Sequence, residues 1–361
     1  MEFGIGFDTH VDKWDLARYG EELGYDRCWV PDSQMIWSDC YAVLALAAAN
    51  TKRIKLGTGV AVAGTRIAPV TAHSIASINQ LAPGRTFLGI GTGHTAMRVM
   101  GQNPMPLAEF REYLRVVREL LAGKAVEYTY RGRTREIQFL HRERHFINLD
   151  LPIPIYVAAN GPRVCKLAGE FGDGWVTAGG INARVSHRLK LISEGAAEAG
   201  RRSLPADFHV TALTTACVLS PGEKLTAERV VNETGAQVAS ALHFVYENWK
   251  TRGQIDDAVP PFFRNVWDDY LKRVASFSLP GNARFRQIHE GHGTFLQPGE
   301  RKYVTPEAIR GTCIVGEPDE IIARIRAMEQ AGIREVLLLP PADTQREVFH
   351  DFAEQIMPAF H

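Results

Sequence analysis

A (β/α)8 barrel, the TIM-barrel form of the α/β class, with insertions at its C-terminal face is the fold this 361-residue sequence predicts. Three observations lead there. Short apolar runs of strand type alternate with helical segments along most of the chain. The run Ile54-Lys55-Leu56-Gly57-Thr58-Gly59-Val60, the helical stretch from Thr71 to Leu81 and the run from Phe87 to Gly93 read as strand, helix and strand, with a glycine-rich turn after each strand. Such a unit builds a parallel sheet whose turns open at one edge. Finally, no linker divides the chain into the two domains that an open, doubly wound sheet of this length would need. The expectation is a single domain over residues 1–361.

Phe3 to Phe7 reads as the first strand, ending at Asp8-Thr9-His10, and Leu16, Gly20 and Leu23 form the buried stripe of the helix after it. Cys28-Trp29-Val30 is the second strand, closed by Pro31-Asp32-Ser33-Gln34, and the alanine- and leucine-rich run from Tyr41 to Asn50 is a helix. The central unit supplies strands three and four. Phe110, Tyr113, Leu114, Val117, Leu120 and Leu121 share one helical face, which Gly123 terminates. Over residues 125–150 the charge density rises and helical periodicity fails, so a hairpin insertion is expected. Ile153 to Val157 is strand five, followed by Ala158-Ala159-Asn160-Gly161 and Pro162 at the first turn of a helix. Gly174 to Thr177 is strand six, ending at Gly179-Gly180, and His209 to Leu219 reads as one long strand seven. Regular alternation is lost over a large insertion, 221–303, with helical pieces near Ala227–Trp249 and Phe262–Val274. Pro318 to Gly332 is an amphipathic helix, Glu335 to Leu339 strand eight, and Gln345 to Ile356 the closing helix.

The formal net charge is zero, which removes the electrostatic case for nucleic acid or an anionic membrane surface as partner. A small-molecule substrate is the default. Five scattered cysteines without a CxxC pair suit buried thiols in a reducing compartment. With no basic leader and no apolar stretch of membrane-spanning length, the expected location is cytoplasmic.

Lys55-Leu56-Gly57-Thr58-Gly59-Val60, Arg66-x-x-Pro69, Pro83-Gly84-Arg85, Gly89-Ile90-Gly91-Thr92-Gly93, Ala158-Ala159-Asn160-Gly161-Pro162, Gly172-Asp173-Gly174 and Val315-Gly316-x-Pro318-x-Glu320 recur in order. Together they resemble the motifs of the bacterial luciferase-like flavin oxidoreductases. That resemblance implies an oxidoreductase on a barrel, a ligand at the C-terminal face and assembly as a homodimer. It leaves two kinds of enzyme. One uses reduced FMN, supplied by a separate flavin reductase, and oxygen; the other uses the deazaflavin coenzyme F420 for hydride transfer, as in methylenetetrahydromethanopterin reductases. The sugar-phosphate dehydrogenase of the second kind carries Asp-His after strand two and an acidic residue after the Gly-Thr-Gly turn, whereas this chain has Asp32-Ser33 and His94. On that ground the leading expectation is an FMN monooxygenase acting on a small organic substrate. An F420-dependent reductase or dehydrogenase is the alternative, and a non-catalytic flavin-binding protein the third.

The same resemblance implies a cis peptide at Gly59-Val60 that bulges under the cofactor ring. Gly91-Thr92-Gly93, Ala158-Ala159-Asn160-Gly161 and Gly179-Gly180 lie where strands meet helices, and backbone N–H groups there suit a cofactor phosphate. His10 and His94, at strand C-termini, are candidates for general acid, general base or flavin contact. Asp32 is a candidate cofactor contact or a turn cap. His289-Glu290-Gly291-His292 has i, i+3 spacing in a glycine-broken loop and no evident third ligand, so no metal is expected. Trp249, Phe262, Phe263 and Trp267 either wall a substrate cavity or form the core of the insertion.

Overall fold

The structure is a computed structural model that describes residues 1–178, 185–201, 203–251, 253–255 and 259–360. Its strands are β1 (Glu2–Gly6), β2 (Arg27–Val30), β3 (Lys55–Val62), β4 (Thr86–Gly91), β5 (Val126–Tyr130), β6 (Arg133–Ile137), β7 (Ile155–Ala158), β8 (Gly174–Ala178), β9 (His209–Thr214), β10 (Ala216–Val218), β11 (Ile314–Gly316) and β12 (Glu335–Leu338). Eight close into a barrel in the order β1-β12-β9-β8-β7-β4-β3-β2. Every neighbouring pair is parallel, so all eight C-terminal ends emerge at one face. This is a (β/α)8 barrel, and the face at those C-terminal ends is where enzymes of this architecture place their sites.

Helices form where the sequence gives them a buried stripe and an end. The helix Leu107–Leu121 buries Phe110, Tyr113, Leu114 and Val117, and Gly123 stops it at φ +73°. Pro318–Gln330 begins with a reciprocal cap between Glu317 and Glu320. Arg131 and Gly132, at φ +50° and +73°, make the two-residue turn that joins β5 and β6 into an antiparallel hairpin.

One strand differs from expectation. His209–Leu219 is two strands, since only β9 belongs to the barrel while β10 pairs with β11 in a separate parallel sheet. The alternation that starts the run at His209 fails at Ala212-Leu213 and again at Thr214-Thr215, where the break falls. The partner strand causes it: β12 is followed by Pro340 and Pro341, which have no N–H to continue the ladder.

Three cores result. The largest lies between strands and helices. A smaller one fills the barrel with Trp29, Phe87, Tyr156, Val176 and Leu337, topped by the partly buried Val60, Ala158 and Leu213. The third belongs to the segment after β10, whose 24-residue helix Glu228–Thr251 packs on the helix Arg264–Ala275. Phe263 and Trp267 are buried in it and Trp249 and Phe262 pack against it, so these four aromatics serve a core rather than a cavity wall.

Beneath the inner core, Glu335 is fully buried. Its carboxylate accepts from Trp29 Nε1 at 2.8 Å, from Thr211 Oγ1 at 2.7 Å and pairs with His209 Nε2 at 2.8 Å. Burial pushes the Glu335 pKa up, but the bond to His209 and the charge of Arg27 outweigh this and hold it below the ordinary carboxylate value. The network fixes the orientation of Trp29, on which the opposite end of the barrel depends.

Candidate active site at the barrel mouth

At the C-terminal end of β3 the pairing with β4 slips between Thr58 and Ala61, and the Gly59-Val60 peptide there is cis. The slip lifts Val60 onto the top of the inner core. A Cβ placed on Gly91, at the end of β4, would lie 3.3 Å from both Val60 Cγ2 and Ala158 Cβ. Val60, Gly91 and Ala158, named separately from the sequence, thus converge on one small apolar platform. The glycine at position 59 answers to the barrel interior. Its missing side chain would point into the barrel, 2.7 Å from Trp29 Cβ, and not toward the opening. Gly59 is required by packing.

Asp32 stands at the rim with its carboxylate fully engaged. Oδ2 accepts from the Val62 backbone N–H at 3.0 Å and from Arg66 Nη1 at 2.7 Å, and Oδ1 accepts from Gln34 Nε2 at 2.5 Å. Arg66 also reaches Asp39 at 2.7 Å. Asp32 therefore clamps the end of β3, just beyond the bulge, to the loop after β2. His10 is exposed and caps a short helical turn, its Nδ1 accepting from the Asp12 backbone N–H at 3.2 Å.

His94 lies deeper in the mouth. The turn before it needs Gly93, which sits at φ +76° and whose Cβ would be 2.4 Å from Val62 Cγ1, while the Thr92 carbonyl accepts from Met105 N at 3.0 Å. His94 Nε2 is buried without a hydrogen-bond partner among the described residues, and its ring packs against Phe244 with centroids 4.8 Å apart. Burial, then repulsion from Arg98 and His292, pushes its pKa down to about 3. At neutral pH His94 is an uncharged imidazole, able to hydrogen-bond but not to act as an imidazolium acid.

The β7 turn supplies the remaining wall. Ala159 is held by its N–H to Val176 O at 3.1 Å and by Trp175 Nε1 to its carbonyl at 2.7 Å. Asn160 is exposed, and Gly161 precedes the ten-residue helix Pro162–Phe171. A Cβ on Gly161 would meet nothing within 4 Å, so this helix start faces open space. Gly179 and Gly180 lie outside the described residues.

Sequence reading missed what closes over His94. Arg98, one turn after His94, pairs with Glu247 of the helix Glu228–Thr251 at 3.2 Å, and His243, His289 and His292 gather beside it. The available signal was His243 and Glu247 four apart on one helical face. A cavity of about 670 Å³ opens instead at the opposite end of the barrel, among Glu2, Arg27, Lys55, Arg85 and His209. That is the end whose residues serve stability in this architecture, so its size does not make it the site.

A family described as luciferase-like monooxygenase matches residues 12–335. A 5,10-methylenetetrahydromethanopterin reductase of Methanolobus tindarius is 37% identical over 352 residues, covering 96% of each chain. The enzyme of that name from Archaeoglobus fulgidus is 30% identical over 354 residues, covering 94% of each. Among solved structures, the coenzyme F420-dependent tetrahydromethanopterin reductase of Methanopyrus kandleri superposes with a TM-score of 0.71 at 22% identity, over 100% of this chain and 99% of that one. The two curated pterin reductases overturn the leading expectation of an FMN- and oxygen-using monooxygenase and favour the alternative, while the solved structure supports the fold. The departures at Ser33 and His94 misled because they were measured against the sugar-phosphate dehydrogenase, whereas the full-length likeness is to the pterin reductases.

Proposed function

We propose, from the premise that this chain belongs to the luciferase-like monooxygenase family and is an oxidoreductase, that it uses coenzyme F420 to move a hydride to or from a one-carbon-bearing tetrahydropterin. The observation that carries this reading is the apolar platform of Val60, Gly91 and Ala158 at the barrel mouth, with open space in front of Gly161. The fit is one of shape: a planar tricyclic ring needs an apolar support without projecting side chains. Its phosphate needs backbone N–H groups at a helix start, which Asn160 and Gly161 provide. When bound, the deazaflavin supplies a ring carbon that gives or takes a hydride.

The chain's own residues would do the rest. Asp32, through Val62 and Arg66, holds the end of β3 so that the platform keeps its place. His94 offers an uncharged imidazole to a polar group of the substrate. Phe244, 39% exposed beside His94, presents an apolar ring on which a flat pterin can stack. The helix that carries Phe244 limits water access to the mouth.

Anaerobic incubation with reduced F420 and methylenetetrahydromethanopterin tests this, read by the visible absorbance of oxidised deazaflavin. Its appearance is the expected result. Reduction of oxidised F420 by a sugar phosphate or a secondary alcohol, with no turnover of the pterin, would retain the coenzyme and reject the pterin, and no change of F420 in either direction with any of these partners would reject the reading.

A further inference from the structure

Three histidines from two distant segments meet beside the barrel mouth. His243 comes from the helix Glu228–Thr251; His289 and His292 come from a tight loop that Gly291 and Gly293, at φ +76° and +67°, allow to turn twice. The loop is fastened to that helix by Gly293 N–H to Ser240 Oγ at 3.0 Å, and to the loop after β2 by Trp37 Nε1 to Thr294 Oγ1 at 3.0 Å. One ring nitrogen from each histidine lies within 4.8 Å of the others. His243 and His289 are each only 2% exposed.

What marks this cluster is its hydrogen bonding. His243 uses Nε2 on Glu300 Oε1 at 2.8 Å, which leaves Nδ1 as a bare lone pair. That Nδ1, both nitrogens of His289 and Nδ1 of His292 are buried without a hydrogen-bond partner among the described residues. Each orphaned buried polar group is destabilising. Four at one place call for a common partner.

We propose that His243, His289 and His292 form a binding site for a divalent transition metal of the zinc class, with His243 bound through Nδ1 and water in the fourth position. The donor chemistry fits, because neutral imidazoles suit zinc and its neighbours. Glu300 stands to His243 as the carboxylate that orients a metal-bound histidine and raises its basicity, and it is itself held by Gln297 N–H at 3.1 Å. Glu247 Oε1 lies 3.9 Å from His289 Nε2 and can orient that ring in the same way. Bonds of about 2.0–2.1 Å in a tetrahedron set the nitrogens about 3.3 Å apart, so small ring rotations draw the cluster in. The third ligand that the sequence did not indicate is His243. A metal here would fasten the segment after β10 over His94, whichever coenzyme the barrel binds.

The test uses the untagged full chain without coenzyme. Elemental analysis after dialysis against metal-free buffer, and the visible spectrum on adding Co²⁺ to chelator-treated protein, are the two readouts. About one metal per chain and tetrahedral Co²⁺ bands saturating at about one equivalent are expected. Both should be lost in His243→Gln, with the near-UV circular dichroism of a folded protein retained, and kept in His350→Ala, which alters an exposed histidine. Absence of both signals in the native chain, or undiminished Co²⁺ bands in folded His243→Gln, would overturn the proposal. Should His243→Gln fail to fold, the native metal content and spectrum decide.

Discussion

Replacing Gly59 by alanine puts one methyl group where the structure has least room for it. The new Cβ would sit 2.7 Å from Trp29 Cβ and 3.2 Å from its carbonyl carbon, against an ordinary carbon contact of about 3.5–4.0 Å. Roughly 1 Å must be found. Trp29 cannot supply it, because its ring donates to Glu335 at 2.8 Å and packs on Phe87 and Tyr156 with centroids 4.4 and 5.8 Å away. The bulge therefore moves, and Val60 moves with it off the platform. Overpacking of this kind costs about 1–3 kcal/mol, and a displacement of about 1 Å at a reacting site costs about 10²-fold in rate. We predict a lower urea midpoint and an F420 affinity weakened about tenfold, equivalent to about 1.4 kcal/mol. Denaturation and fluorescence titration on the same preparation check this. A Gly59→Ala protein that loses stability yet binds F420 like the native chain would separate the bulge from the coenzyme; one that loses neither would refute the packing argument itself.

Gly161→Ala is the counterpart. Its Cβ meets nothing within 4 Å and its φ of −97° is ordinary, so stability should hold within about 0.5 kcal/mol while coenzyme affinity falls if a phosphate approaches that backbone; unchanged affinity in an F420 titration would move the phosphate elsewhere. Glu335→Ala removes the acceptor for Trp29, Thr211 and His209 and leaves Arg27 with less compensation, and should cost about 3–5 kcal/mol by urea denaturation; a loss under about 1 kcal/mol would contradict the network's role. Acid should destabilise the fold earlier than carboxylate titration alone. The folded pKa values of His94, His289 and His292 lie at about 3, 2 and 4, below the ordinary 6.5, so the unfolded chain binds more protons across that interval. Their contribution to stability is complete above pH 6.5 and is lost as pH falls toward the folded values. The slope is about 1.4 kcal/mol per pH unit for a fully buried histidine, and less for the partly exposed His94 and His292. Urea midpoints of chelator-treated protein at pH 7.5 and 5.5 should differ in that direction, and equal midpoints would show that the rings are solvated. His94→Ala should lower turnover much more than F420 affinity in steady-state kinetics; an unchanged rate would leave His94 only its packing on Phe244.

The barrel was legible because its signals are local. Strand runs such as Cys28–Val30, the glycine stops and the buried stripe Phe110–Val117 each specify their own element. Platform residues Val60, Gly91 and Ala158 were also legible one by one, through their motifs, although only the fold shows that they touch. Two things were hidden, for one physical reason. The need for glycine at 59 is set by Trp29, and the partner of His289 and His292 lies on another helix. Each depends on contacts distant in sequence, which periodicity and spacing do not encode. Asp32 illustrates the intermediate case: its position at a strand end marked it, but its hold on Val62 and Arg66 appears only once β2 and β3 are paired.

Equilibrium titration of the purified chain with coenzyme F420 and, separately, with FMN addresses the account's central claim most directly. Binding of F420 that saturates at about one per chain and exceeds FMN affinity by at least about tenfold, and that weakens in Gly59→Ala, is the predicted result. Equal or tighter binding of FMN, or F420 binding indifferent to the bulge, would contradict it.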